Sequence, residues 1–586
     1  MFRGFMFYIK KGWLYDKYYI LWNVLYQVLS VPVPLLSALL PKLILDELIR
    51  DNNMQRAYIY VLLLSGGLCL IQILSEFFQK DGFTRRCRVA AEFDSDLHRN
   101  LYNCDYGNLE DPVFLDLQEK SKKFLYCNRH GFGYLLDCAL NILGQTMALL
   151  GVMTLLAALN IYLIVLFIAL ALIGAYFDKR ILKKTKQLED EVIEDQRRWM
   201  YFSNLFEKAD YGREFRLYQV GEWLLEKERT FFTRCNNVLK KQNTEFMKSG
   251  MISAIITFIE QLVVYVYLIF CVSDGTLSVG SFMMYVSATT SFAIAIRQII
   301  SSVVEIQTFD MYYDNLETYL SVPSTMRDGI LKVPAEAKPV IEFENVSFKY
   351  PGNDYFTLKN VSIQVKYGEK LLIVGENGAG KSTFVKLMLR LYDPTEGRIL
   401  LNGRDIREYD YDSYLSLFAT VFQDHHLFSF TLRENITMSD SSDDKRMMEI
   451  LKQAGLSQKL KGSNITLDTQ VNKTFSADGY EPSGGESQKI AIARALYKDA
   501  PVMVLDEPTA ALDPRAECEI YRRFNDMVTG KTAVFVSHRL SSARFSDSIA
   551  VFDKGKICEY GNHESLLQIN GKYAELFGMQ AQFYTE

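Results

Sequence analysis

Residues 371–391 read LLIVGENGAGKSTFVKLMLRL. Leu371–Val374 is an apolar run of strand length, and Phe384, Leu387, Met388 and Leu391 recur at helical spacing behind it. Between them lies Gly375-Glu376-Asn377-Gly378-Ala379-Gly380-Lys381-Ser382-Thr383. Strand, glycine-rich loop and helix in that order are the setting a phosphate-binding loop requires. The glycines let backbone wrap phosphate oxygens, and the N–H groups at the helix start favour negative charge. Lys381 is placed to reach β- and γ-phosphates, and the Ser382 hydroxyl to bind Mg2+. A plain glycine-rich turn is the structural alternative, and the flanking strand and helix argue against it.

Two further strands follow downstream. Val502–Leu505 is continuously apolar, as expected of a parallel strand buried on both faces. It delivers Asp506 and Glu507 at its carboxyl end, where open α/β sheets place their ligands. Asp506 would hold Mg2+ and Glu507 would polarise an attacking water, although either acid alone could be a strand-end surface charge. Thr532–Val536 is a similar strand, ending at His538, which would contact a γ-phosphate; a lone histidine is more often structural. Ser483-Gly484-Gly485-Glu486 opens a helix expected over Ser487–Tyr497. Locally it is a capping box, Ser483 accepting from the helix start and Glu486 reaching back. The same helix start, with two glycines, also suits an anion. Both roles stay open on the residues alone.

Upstream the chain changes character. It has 586 residues, 49% of them apolar and 23% charged, which fits one lipid-soluble part joined to an ordinary α/β domain. The formal net charge of -5 gives no nucleic-acid footprint. Nine cysteines without a C-x-x-C pair suggest neither a disulfide framework nor a zinc site. Cys69, Cys138 and Cys271 read as small buried apolar groups. No cleaved signal peptide is read at the start.

Six spans are expected near Tyr18–Leu45, Ala57–Phe78, Tyr134–Leu159, Tyr162–Phe177, Ile252–Val272 and Ser281–Val303. Glu260 and Arg297, inside the last two, should face a cavity or the helix ends. Pro32, Pro34 and Pro41 should bend the first. Lys and Arg concentrate in the long loops after the second and fourth spans (Arg85, Arg86, Arg88 and Lys120; Lys179, Arg180, Lys183 and Lys184). That excess predicts that these loops and both termini are cytoplasmic. The loops read as helical extensions broken at Asp105–Asp111 and Ala209–Arg213. His98, His130, His425 and His426 read as structural or surface groups. The expected organisation is a six-helix membrane domain over 1–321, a linker over 322–339 and an α/β P-loop ATPase domain over 340–586.

These elements, in this order, resemble the ABC transporter superfamily over essentially the whole chain. The resemblance implies that Tyr350 stacks on adenine, that Gln423 is a Mg2+ ligand joining the ATP site to the membrane domain, and that Asp513 sits in the loop crossing a dimer interface. It also implies that Ser483, Gly484 and Gly485 belong to the signature segment that completes the partner's ATP site. There the family pattern begins with leucine and usually ends with glutamine; this chain has Pro482 and Glu486.

Six spans ahead of one ATPase domain resemble exporter-type half-transporters, in which turns near Leu109–Phe114 and Tyr211–Tyr218 would be coupling helices. The runs Gln488–Ala495 and Val536–Ser542 are similar to bacterial exporters of lantibiotic-type peptides. No cysteine-protease domain is read ahead of the first span, so leader cleavage is not implied. What the resemblance implies is a bacterial ATP- and Mg2+-dependent translocase in the cytoplasmic membrane, among its lipids. It would be a homodimer, or a heterodimer with a second half-transporter. Its substrate would be a peptide, with a lipid or amphipathic drug as the alternative and an ATP-gated channel or regulator as a further one.

Overall fold

The structure is a computed structural model that describes all residues except 1–2, 50–52, 127–132, 209–210, 335–337, 441–442, 458–459, 461, 463–464, 508–527, 538–539 and 586. The chain forms two compact units. The first comprises Met1–Leu101 and Asp116–Ser321; the second comprises Tyr102–Leu115 and Val322–Glu586.

The first unit is helical. It opens with α1 (Arg3–Tyr15), α2 (Lys17–Ser30) and α3 (Pro32–Ile49). Pro32 sits where a proline is tolerated, at the first position of α3, so the chain breaks at Val31 and resumes; Pro41 lies within α3. Then come α4 (Met54–Asn103), α6 (Pro112–Tyr126), α7 (Tyr134–Leu159) and α8 (Ile161–Glu207), while α5 (Tyr106–Leu109), between α4 and α6 in sequence, belongs to the second unit. The run ends with α9 (Gly212–Leu217), α10 (Gly221–Ser273) and α11 (Val279–Leu320).

Among the described residues, six helical stretches are long and apolar enough to cross a membrane. Large apolar side chains such as Leu62, Leu70, Leu150, Leu172 and Phe270 are exposed along them, as contact with lipid requires. Inside, Leu156, Phe167, Leu268 and Phe292 pack a core shared by α7, α8, α10 and α11. Arg297 and Glu260 solve their burial together: the guanidinium lies 3.8 Å from the carboxylate and also donates to Ser253 and Thr257. Of the cysteines read as buried, Cys138 is, Cys271 is half-buried, and Cys69 is exposed on the apolar surface of α4.

The break in the first long loop is better defined than its glycine and proline suggested. The short helix is α5 at Tyr106–Leu109, inside the expected break at Asp105–Asp111, and Pro112 already starts α6. Asp105 precedes α5 but does not cap it. Its carboxylate instead accepts from Ser324 at 2.6 Å, from the Thr325 hydroxyl and N–H at 2.9 and 3.0 Å, and from the Met326 N–H at 3.3 Å.

The second unit carries two sheets. A four-stranded antiparallel sheet has the order β2-β1-β4-β5, from β1 (Ile341–Phe348), β2 (Leu358–Val365), β4 (Glu396–Leu401) and β5 (Arg404–Asp405). A six-stranded sheet has the order β10-β9-β3-β8-β7-β6. Its strands are β3 (Lys370–Gly375), β6 (Phe418–Val421), β7 (Val502–Asp506), β8 (Thr532–Val536), β9 (Ser548–Asp553) and β10 (Lys556–Gly561). All pair in parallel except β10 with β9.

Strand alternation divides the core in two. Leu371, Ile373, Val502, Val504, Val534 and Val536 turn towards the antiparallel sheet and α12 (Lys381–Met388). Leu372, Val374, Met503, Leu505, Ala533 and Phe535 turn towards the helical layer that includes α14 (Leu432–Thr437), α15 (Asp444–Gln453) and α16 (Gly484–Lys498). With both faces covered, the strands can be apolar at every position.

Candidate functional site

β3 ends in the P-loop. Gly375 has φ +151°, and a Cβ there would stand 2.3 Å from the Phe552 carbonyl oxygen, so β9 walls the loop too closely for any side chain. Gly380, at φ +101°, starts α12; a Cβ there would meet Leu358 Cδ2 at 2.6 Å. Lys381 is buried, and its Nζ donates to the carbonyls of Gly375 and Glu376 at 2.9 Å each. The ammonium is thereby held within the loop. Burial pushes its pKa down, against the opposing pull of Glu507 and Asp506.

Asp506 ends β7 and is 8% exposed. Burial first, then the charge of Glu507, pushes its pKa up to about 6; Lys381 and a hydrogen bond with Ser382 act the other way. Among the described residues, its buried Oδ1 has no hydrogen-bond partner. An unpartnered buried carboxylate oxygen beside a P-loop hydroxyl is a donor set that suits Mg2+, a hard cation that prefers oxygen and shares phosphate ligands.

Glu507 has φ +48°, and its N–H donates to the Val536 carbonyl at 3.0 Å. Left-handed backbone at a non-glycine residue costs on the order of 1–3 kcal/mol and tends to occur where a site demands it. It turns the backbone just after Asp506.

Tyr350 follows β1. Its hydroxyl lies 3.1 Å from Thr383 Oγ1 at the start of α12. The ring meets Phe348 and Tyr392 edge-on, with centroids 5.0 and 5.4 Å away, and Lys386 lies 5.5 Å from its centroid. Gln423 is exposed just after β6, next to Asp424, whose charge bears on Asp506. The structure therefore brings Lys381, Ser382, Thr383, Tyr350, Asp506 and Glu507 into one region at the carboxyl ends of the parallel strands. Asp513 and His538 lie outside the described residues.

Ser483 starts α16, one turn earlier than expected, and the capping box is formed in full. The Ser483 N–H donates to Glu486 Oε2 at 2.9 Å, and the Glu486 N–H donates to Ser483 Oγ at 3.4 Å. Glu486 thus turns into its own helix. Nothing stands within 4 Å of a Cβ built at Gly484. His425 Nε2 lies 3.1 Å from Ser487 Oγ, and burial lowers its pKa.

Sequence reasoning missed one cluster. Within the second unit, Glu110 of the Tyr102–Leu115 segment accepts from Lys386 at 3.1 Å and from the Tyr392 hydroxyl. Tyr106 stacks edge-on against Tyr392 at 5.7 Å. Lys386 and Tyr392 flank the end of the P-loop helix, where a lysine and tyrosine carry no motif of their own; only their pairing with a residue some 280 positions away reveals them.

The profile of the ABC transporter family matches residues 358–510. Curated relatives include the subtilin transport ATP-binding protein SpaT of Bacillus subtilis, 33% identical over 391 residues, which are 65% of this chain and 62% of that protein. They also include the ATP-dependent lipid A-core flippase of Alcanivorax borkumensis, 33% identical over 362 residues, 60% of this chain and 61% of that protein. The chain spans about three fifths of the length of these relatives. Among solved structures, a bacterial Atm1-family ABC exporter with ATP bound superimposes with a TM-score of 0.81 at 22% identity, over 96% of this chain and 98% of that one. Residues 358–510 thus carry the domain of the ABC transporter family. The fold of the chain, six apolar helices followed by an ATP-binding α/β domain, is that of the exporters.

Proposed function

We propose that the protein is an exporter-type half-transporter: ATP hydrolysis in its second unit drives a substrate, in our reading a peptide, across the bacterial cytoplasmic membrane. The observation that carries this is Asp506 and Glu507 emerging together beside a formed P-loop, in a chain that also has six helices able to cross a membrane.

Lys381, freed from the loop carbonyls, would bind β- and γ-phosphate oxygens. Ser382, Asp506 and Gln423 would hold Mg2+, which supplies charge neutralisation for the leaving phosphates. Glu507 would orient and polarise the attacking water, and His538 would hold it in line. Tyr350 would present its ring to adenine on leaving Tyr392. Phosphoryl transfer needs mostly positioning and charge stabilisation, which these groups provide.

Ser483, Gly484 and Gly485 would complete the site of a partner, a second copy or a different half-transporter, with Asp513 at the interface. Gripping nucleotide between two such domains would favour one state of the membrane helices, and release would reset the other. Moving such an equilibrium from 1:99 to 99:1 takes about 5.5 kcal/mol of differential binding. The Lys and Arg excess in the long loops supports a cytoplasmic position for the ATPase domain.

The likeness to SpaT supports a peptide substrate; the likeness to lipid A-core flippases supports a lipid as the second reading. The test is uphill accumulation in inverted vesicles carrying the protein and any partner half. ATP-dependent uptake of a peptide against its gradient is expected. Downhill flux alone would mark a channel, and lipid translocation without peptide uptake would mark a flippase.

A further inference from the structure

The membrane unit contains a cavity of about 480 Å3 whose lining differs from the apolar helices around it. That volume lies within the roughly 300–1,000 Å3 of small-molecule sites. Five carboxamides reach it: Asn23 and Gln27 from α2, Gln79 from α4, Asn141 from α7 and Gln298 from α11. Polar side chains in helices of this kind are costly and are kept for a purpose.

The helices have also made room for them. A Cβ on Gly144 would stand 2.0 Å from Gln27 Nε2, and one on Gly82 would stand 3.3 Å from Asn23 Nδ2. Two of the amides are tied back: Asn23 Nδ2 donates to the Tyr19 carbonyl at 2.7 Å, and Asn141 Nδ2 donates to Ser302 Oγ at 3.1 Å. Among the described residues, the side chains of Gln27, Gln79 and Gln298 have no hydrogen-bond partner.

Charge in the cavity is closed on itself. Arg86 Nη2 donates to both carboxylate oxygens of Asp137, at 2.7 and 2.9 Å. The buried Arg86 Nε has no partner among the described residues, which leaves one further donor at the wall. The lining therefore offers paired donors and acceptors and no net charge.

A carboxamide carries the same donor and acceptor as a peptide unit. A phosphorylated lipid head would instead call for uncompensated cations, and an acyl chain for an apolar wall. We infer, resting on the export function proposed above, that this cavity takes up a stretch of uncharged peptide main chain, with Gln27, Gln79 and Gln298 bonding its amides.

The test uses the full-length protein in lipid nanodiscs without nucleotide, so that it does not depend on hydrolysis. The probe is a short synthetic peptide of Gly, Ser, Gln and Leu carrying one benzophenone. Labelling is expected in α2, α4, α7 and α11, reduced by unlabelled peptide and untouched by a phosphorylated glycolipid. Combining Gln27→Leu, Gln79→Leu and Gln298→Leu should cut labelling about tenfold or more, the loss of a few neutral hydrogen bonds.

A second variant guards against misfolding. Asp137→Asn uncovers the Arg86 charge, and the phosphorylated glycolipid should then compete. Unchanged labelling in the triple variant, or competition by the glycolipid in the unaltered protein, would overturn the assignment. If labelling behaves as expected but ATP-driven uptake is absent, the export function fails and the peptide site stands.

Discussion

Lys386, in the last turn of the P-loop helix, donates to Glu110 Oε1 at 3.1 Å, while the Tyr392 hydroxyl bonds the other oxygen of the same carboxylate. One carboxylate from the segment between α4 and α6 thus reads the far end of the helix whose near end holds Lys381. Burial alone would raise the pKa of Glu110, yet the bonds from Tyr392 and Lys386 outweigh it and hold the carboxyl below its ordinary value. It stays ionised and engaged at physiological pH.

Glu110→Ala is therefore expected to loosen this segment from the ATPase domain without touching nucleotide. Hydrolysis without substrate should stay near the wild-type rate, while its stimulation by transported substrate falls by about fivefold or more, the size of a typical coupling term. Glu110→Gln, which keeps a hydrogen bond to Tyr392 but loses the ion pair, should fall between. Substrate-stimulated ATPase rates in nanodiscs decide it; unaltered stimulation in the alanine variant would leave Glu110 a merely structural contact.

Lys381 and Glu507 separate binding from chemistry. Removing the Lys381 ammonium takes away charge-assisted bonds worth about 1.5–3 kcal/mol, so Lys381→Ala should weaken ATP binding by about ten- to a hundredfold. Glu507→Gln should leave ATP affinity near wild type and lower hydrolysis by about a hundredfold or more. Equilibrium binding of a fluorescent ATP analogue, beside phosphate release, separates the two; near-normal turnover in the glutamine variant removes Glu507 from its role.

The parts that were legible in the sequence are those where one local pattern has one physical reading. Thr532–Val536, apolar at every position after Thr532, forms a strand over those same residues because a doubly covered parallel strand buries such a run. The P-loop was legible because each of its glycines answers a backbone demand, as the approach of Phe552 to Gly375 shows. What stayed hidden was relational. β1 and β2 sit in a separate antiparallel sheet, which alternation alone does not distinguish from more α/β strands. The bonds of Asp105 to Ser324 and Thr325, and of Glu110 to Lys386, join positions more than 200 residues apart, and no local pattern encodes them.

The carboxyl of Asp506 carries a pH signature. Its pKa in the folded protein is about 6, against about 3.9 for an unfolded chain. Between those values the folded protein holds a proton that the unfolded chain has released, so stability from this group grows as pH falls through about 6 and is lost as pH rises. At pH 8 the group is ionised and buried, with one carboxylate oxygen that no described residue bonds. Asp506→Asn should thus raise the nucleotide-free thermal midpoint most at pH 8, about half as much at pH 5, and little below about pH 4. Mg2+-dependent hydrolysis should fall by about a hundredfold or more in the same variant, the loss expected when one charge-stabilising group is removed. A midpoint that moves equally at all three pH values would show that charge burial is not the cause.

Ser483 and Glu486 allow the structural and the catalytic roles of one segment to be told apart. Ser483→Ala breaks the capping box and should cost about 1 kcal/mol of stability. Glu486→Gln preserves the box, since glutamine also reaches back to the cap N–H, so stability should shift by less than about 0.5 kcal/mol. If α16 also faces the triphosphate of a partner, the lost negative charge should strengthen ATP-dependent pairing of the two domains and raise hydrolysis. A Glu486→Gln protein that is as stable as wild type but hydrolyses ATP no faster would confine this segment to capping; faster hydrolysis that requires the partner half would assign it to the shared site.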